Sequence, residues 1–273
     1  MTELPLFLIV SLALLGTTSG FLGGLLGIGG GVVIVPCLII LLEISGLYPA
    51  HTITVVAIAT SLACIVFTSM SAAITQIRAN KVLWDLVRKL ALFFILGSFC
   101  AGVLIPYLTP WILRLLIGLF LLFVAVVMLT NWKPAPNQQF PGLLGASGIA
   151  FGGGLVAGSA GIAGGNVIVP TLVYFNIPPH NATATSSALG VPIAAAGAVS
   201  YMFTQNTEVQ SLSQVWHWGY VDISSFILIS IFAVISAPLG VKVAHRVQAD
   251  TLKKYFGALL IVVSGRMVWT ALL

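Results

Sequence analysis

Apolar residues run almost unbroken through ten stretches of the chain, at roughly 4–26, 30–45, 52–76, 86–108, 111–131, 142–161, 164–176, 181–204, 219–243 and 251–272. Most match the length of about 20 residues that a helix needs to cross a bilayer. The runs are continuous, so they do not read as the alternating strands of a membrane barrel. Breaks fall at the glycines of 27–31, at Tyr48-Pro49, at Thr109-Pro110, at Lys133-Pro134-Ala135-Pro136 and at Pro178-Pro179, the residues that end or kink helices. The pattern predicts an all-α polytopic membrane protein of about ten segments. The second and seventh are short.

Composition strengthens this. Of 273 residues 59% are hydrophobic and 6% charged, and mean hydropathy is +1.12. A soluble domain carries about 25% charged residues. That excludes a cytosolic enzyme, a nucleic-acid-binding domain and a disordered regulator. Ten spans leave only short loops, so any chemistry sits in or beside the bilayer. Cys37, Cys64 and Cys100 all lie inside apolar runs and read as small buried hydrophobes. The start, Met1-Thr2-Glu3-Leu4-Pro5, lacks the basic stretch of a signal peptide.

The charges set an orientation. Arg78, Lys81, Arg88, Lys89, Lys133, Lys242, Arg246, Lys253 and Lys254 are nine of the eleven basic residues. With ten crossings they flank loops on one side, which the positive-inside rule makes cytoplasmic. Glu43, Glu208 and Arg114 fall on the other side, and both termini are expected outside a cell (inner or plasma) membrane. Trp84, Trp111, Trp132, Trp216, Trp218 and Trp269 stand at segment ends, as interfacial anchors do.

The chain also repeats itself. Residues 20–38 and 154–172 are identical at eleven of nineteen positions, at a constant offset of 134. Downstream, Thr60-Ser61 matches Thr185-Ser186, Asp85 matches Asp222, and 113–118 matches 252–257. The halves are 1–135 and 141–273, with five segments each. Five is odd, so the second half is expected to insert upside down, as in secondary transporters built on inverted repeats.

At the centre of each half lies a glycine motif: Gly27-Ile28-Gly29-Gly30-Gly31 before Pro36, and Gly161-Ile162-Ala163-Gly164-Gly165 before Pro170. Such backbone survives at membrane depth only inside protein or along a cavity. The short segment after each motif reads as a broken or re-entrant half-helix. Its N-terminus offers unpaired N–H groups and the positive end of the helix dipole, which suits an anion. Close packing is the competing use, because Gly20 and Gly24, like Gly154 and Gly158, have GxxxG spacing. No Gly-Lys-Ser/Thr follows, so this is not a nucleotide P-loop.

These paired motifs, with Ala59-Thr60-Ser61-Leu62 and Thr185-Ser186-Ser187-Ala188-Leu189-Gly190-Val191-Pro192, resemble the sulfite exporter TauE/SafE family over essentially the whole chain. The resemblance implies a permease for sulfite or organosulfonates such as sulfoacetate. The chain departs from the pattern at Ala163, and at Asn166 where the first copy has Val32. The Asn166 amide is an extra donor.

The expected substrate-binding set is Gly29, Gly30, Gly31, Thr60, Ser61, Gly164, Gly165, Asn166, Thr185, Ser186, Ser187 and Arg266. Hydroxyls can donate to an anion without adding charge, or bond the preceding helical turn. Arg266 is the one cation inside a span and can pair with the anion or snorkel to the interface. Asn181 is expected to cap the eighth segment, and Asp85 and Asp222 the fourth and ninth. His51 and His180 read as interfacial. Apart from Asp85 and Asp222 no acid reads as deep, and the coupling ion is open. Gly145-Ala146-Ser147-Gly148 with His245 is a weak match to an intramembrane serine protease. The chain is expected not to be an enzyme and to need no cofactor or metal. Its partners are a small anion, lipid and, as a candidate, a second copy of itself. A non-sulfur anion such as a carboxylate, moved by a permease or channel of the same fold, is the alternative.

Overall fold

The computed structural model describes residues 6–26, 29–78, 80–130, 142–204, 209, 216–244 and 249–272. These hold ten α-helices: α1 (Leu6–Leu26), α2 (Gly31–Ser45), α3 (Ile53–Arg78), α4 (Trp84–Leu104), α5 (Pro110–Leu129), α6 (Leu143–Ala160), α7 (Gly165–Tyr174), α8 (Pro179–Phe203), α9 (Ile223–Ala244) and α10 (Ala249–Leu272). Six of them, α1, α3, α4, α5, α8 and α9, are long and apolar enough to cross a membrane. The short pair, α2 and α7, have 15 and 10 residues. At 1.5 Å per residue they reach about 22 and 15 Å, short of a hydrocarbon core of about 30 Å. The expected positions Gly27, Ile28, Trp132, Lys133, Glu208, His245 and Arg246 lie outside the described residues.

Local sequence explains the boundaries. Pro110 and Pro179 open α5 and α8 at the first helical position, where a missing N–H costs nothing. Gly46 ends α2 in the left-handed region, with its N–H on the Leu42 carbonyl. Asn181 is therefore the third residue of α8, not its cap, and its amide donates to the Lys81 carbonyl at 2.9 Å. Asp85 likewise lies inside α4, whose cap position is Leu83. The expected ninth segment begins later than its hydropathy suggests. Residues 217–222 form a two-stranded hairpin, β1 (His217–Trp218) and β2 (Val221–Asp222), turning at Gly219 with φ +55°.

Packing is reciprocal between the two halves. α1 lies along α9, and α6 along α4. α3 meets α8, and α5 meets α10; α3 also packs on α9 and α8 on α4. So the first helix of each half packs on the fourth of the other, third on third and fifth on fifth. Glycines permit the closest crossings. A Cβ on Gly20 would strike Ala233 and Ser236 across the α1–α9 contact, and one on Gly24 would strike Ala237. Gly154 and Gly158 stand in the same relation to Phe94 and Ser98 of α4. The GxxxG spacings are thus used for backbone approach. α3 is the central element: 83% of its most apolar window is buried, against 33% for α5. Large side chains such as Phe7, Leu92, Phe123, Ile235 and Val262 face outward, as a lipid-facing surface requires. Together these features make the chain an integral membrane protein.

Candidate functional site

Gly30 and Gly164 are the N-cap residues of α2 and α7, at φ +79° and +75°. Only glycine takes this left-handed conformation without strain. It sets the backbone at the entry to each short helix. A glycine cap carries no acceptor side chain, and neither helix start has a side-chain cap. The first N–H groups of both helices are therefore left to other partners.

The two loops abut. A Cβ on Gly29 would lie 2.5 Å from the Ala163 Cβ, and one on Gly31 would lie 2.5 Å from the Gly161 carbonyl oxygen. α3 holds both. Ser61 donates to the Gly161 carbonyl at 2.8 Å. Thr68, two turns further along the same face, donates to the Gly29 carbonyl at 3.0 Å. On the other side, α8 brings Gly190 against Ala163 and Ile193 against Gly164. Ser186 lies on that same α8 face, by helical spacing. Gly29, Gly30, Gly31, Gly164 and Gly165 are all buried, so the site is closed over in this conformation.

The hydroxyls divide by role. Thr60 accepts the Asp222 N–H at 3.0 Å, at the start of α9. Thr185 accepts the Leu83 N–H at 3.1 Å, at the start of α4. Ser187 bonds back to the Thr183 carbonyl at 3.0 Å. Two donors have no partner: the Asn166 amide nitrogen and the Ser186 hydroxyl, both buried. Buried polar groups are paired in the great majority of cases, so these two orphans stand out: Asn166 is in the first turn of α7, and Ser186 is on the α8 face that packs against the second glycine loop. Residues 29–36, 58–69, 161–170 and 185–193 contain no charged side chain. What the site offers is neutral donors and helix dipoles.

Arg266 does not join this cluster. Its guanidinium lies 3.7 Å from the Glu43 carboxylate, which Arg114 approaches at 2.9 Å. Glu43 stands twelve residues beyond Gly31 on α2, about 18 Å along the axis. The sequence reading missed Thr68. Its match in the second half, by the Thr60–Thr185 offset, is the apolar Ile193, so the repeat gave no hint. The signal was its seven-residue spacing from Ser61. Of the weak protease match, the Ser147 hydroxyl donates to the Leu144 carbonyl at 2.8 Å, and His245 lies outside the described residues.

The sequence read Asp222 as a helix cap, and the structure adds that the residue is buried, at 3% exposed. It caps α9: Oδ1 accepts from the Ser224 N–H at 3.0 Å and the Ser225 N–H at 3.4 Å, and Oδ2 accepts the Ser225 hydroxyl at 2.9 Å. The hairpin carries it inward, because Gly219 packs directly on the carbonyls of Tyr201 and Met202 at the end of α8.

Comparison with known proteins agrees with the fold. The family profile described as Sulfite exporter TauE/SafE matches residues 12–267. A probable membrane transporter protein of Haemophilus influenzae is 31% identical over 257 residues, covering 93% of this chain and 96% of its own. Probable membrane transporter proteins of Methanocaldococcus jannaschii and Bacillus subtilis are each 26% identical. The first match covers 94% of this chain and 92% of the relative, the second 95% and 97%. No solved structure matches the chain.

Proposed function

The chain belongs to the sulfite exporter TauE/SafE family, a family of membrane transporters, and from that premise we propose that it carries small sulfur-containing anions, sulfite or an organosulfonate such as sulfoacetate. The anion binds where Gly30 and Gly164 open α2 and α7. The observation that carries this reading is the pair of buried, partnerless donors, Asn166 Nδ2 and Ser186 Oγ, together with two uncapped helix N-termini. A buried donor without a partner costs about 1–3 kcal/mol. An oxyanion repays that cost by accepting from both and by meeting the positive dipole ends.

The mechanism is alternating access. The two five-segment halves, 1–135 and 141–273, are inverted repeats, and one rocks against the other around the glycine loops. The reciprocal contacts between the halves support this, because an interlocked pair related by a pseudo-two-fold axis has two equivalent ways to tilt. Neutral donors hold an anion without trapping it, which favours release on the far side. The protein sits in the cell membrane with both termini outside.

The test is thermal stabilisation of the purified protein by sulfite, thiosulfate, sulfoacetate, taurine, sulfate, acetate and chloride. A ligand that binds only the folded state raises the apparent Tm with occupancy. The expected result is a selective shift with a sulfite or sulfonate, absent from the Asn166→Val variant. An equal or larger shift with acetate would replace the sulfur assignment with a carboxylate one.

A further inference from the structure

Asp222 has surroundings that capping alone does not require. In the hairpin register it lies directly opposite His217, so the two side chains project from the same face a few ångströms apart. His217 is half-buried, and its Nδ1 is enclosed with no hydrogen-bond partner. Tyr48, in the α2–α3 connection, is buried with its hydroxyl also unpartnered. The carboxylate's charge acts on that hydroxyl. α3 presents the Cys64 thiol, bonded weakly to the Phe226 carbonyl at 3.8 Å. α8 presents Tyr201, whose hydroxyl donates to Gly158. α9 presents Ser224 and Ser225. Among the described residues, His217 is the group that can bring a positive charge to Asp222.

This cluster is one residue removed from the anion site. Thr60 holds the Asp222 backbone and Ser61 holds the Gly161 carbonyl. Both are on the central helix. The matching place in the first half has no such acid: Thr185 holds the backbone of Leu83, and Asp85 is exposed.

We propose that Asp222 and His217 form a proton-binding site that couples movement of the anion to movement of a proton. The proposal deepens the transport reading and rests on it. The proton arrives on the half-exposed imidazole and passes to a carboxylate oxygen of Asp222, leaving the imidazole neutral and the carboxyl uncharged. A neutral carboxyl accepts less strongly from the Ser224 and Ser225 N–H groups. Its hold on the α9 N-terminus therefore changes with protonation, and Thr60 and Ser61 transmit the change to the glycine loop. Burial supports this, because it raises the Asp222 carboxyl above the ordinary carboxylate value against the opposing hydrogen bonds from Ser225 and Ser224 and the charge of His217.

The experiment has two readouts on the full chain. Infrared titration of the purified protein follows the C=O stretch of a protonated carboxyl, with no substrate needed. The expected band grows as pH falls, is missing in Asp222→Asn, and shifts its midpoint to higher pH in His217→Gln, where the facing cation is gone. In proteoliposomes, sulfoacetate uptake should respond to an imposed proton gradient in the wild type. The Asp222→Asn variant should lose that response while keeping sulfoacetate exchange. Sulfoacetate is the probe because its own groups stay ionised near neutral pH. A carboxyl band unchanged by both substitutions overturns the proposal, as does full gradient response in Asp222→Asn. If the wild type moves no sulfoacetate, sulfoacetate is ruled out as the substrate, and the infrared titration still decides the proton site.

Discussion

Ser61 and Gly161 lie a hundred residues apart in the chain and are joined by a 2.8 Å hydrogen bond from the serine hydroxyl to the glycine carbonyl. Because both are buried, the bond fixes the second glycine loop to the helix that also holds the first. Ser61→Ala leaves that carbonyl unpaired and should cost about 1–3 kcal/mol. Thermal unfolding in detergent would register the loss, and the affinity for the transported anion should fall with it. An unchanged Tm would show that the loop is held by other contacts.

Asn166 separates binding from stability. Replacing it with valine, the residue at the matching place in the first half, removes an orphaned buried amide. The ligand-free protein should be as stable as the wild type or slightly more so, while the anion-induced rise in Tm shrinks by a factor of about 10 in affinity per 1.4 kcal/mol lost. Valine at Gly30 is a poorer probe. Its φ of +79° excludes a β-branched residue without strain, and a Cβ there would lie 2.6 Å from the Ser19 carbonyl oxygen.

Asp222 gives stability a pH dependence whose sign can be worked out. Its carboxyl is raised in the folded state by burial. The folded chain then keeps a proton that the unfolded chain releases, so this contribution is present at low pH and lost as pH rises through the folded value. Asparagine keeps the capping oxygen and removes the titration. The Tm difference, Asp222→Asn minus wild type, should grow from acid to neutral pH. A difference that stays flat across that range would mean the folded carboxyl titrates as it does unfolded.

The α1–α9 crossing depends on having no side chain at Gly20, where a Cβ meets Ala233 and Ser236. Gly20→Leu should destabilise by about 1–3 kcal/mol or more through overpacking. Gly148→Ala, on the exposed face of α6 with nothing near its Cβ, is the matched control and should be neutral or slightly stabilising. Equal yields and Tm values for the two would contradict the crossing.

Arg266→Gln tests a residue that the sequence nominated and the structure places elsewhere. The side chain is half-exposed beside Glu43, and surface pairs contribute about 0–1 kcal/mol. Anion affinity should be unchanged. A tenfold loss would bring Arg266 back into the site.

The sequence by itself determined the class, the elements and the motif. Continuous apolar runs can only be helices in lipid, because each must satisfy its own backbone there. Proline at Pro110 and Pro179 and glycine at Gly30, Gly46 and Gly164 set where helices begin and end, since those limits are local to the backbone. Tertiary structure decided everything that depends on which runs meet. Nothing near Ser61 in the chain names Gly161 as its acceptor. Nothing near Asp222 says that a hairpin turning at Gly219 will press it against α3 and away from water. Equally, the sequence nominated Asn166 and Ser186 as donors among many hydroxyls and glycines, and only packing singled them out by leaving them without an acceptor. Their isolation is a property of the closed bundle, because a hydrogen bond is satisfied or denied by neighbours in space, and the sequence lists neighbours only along the chain.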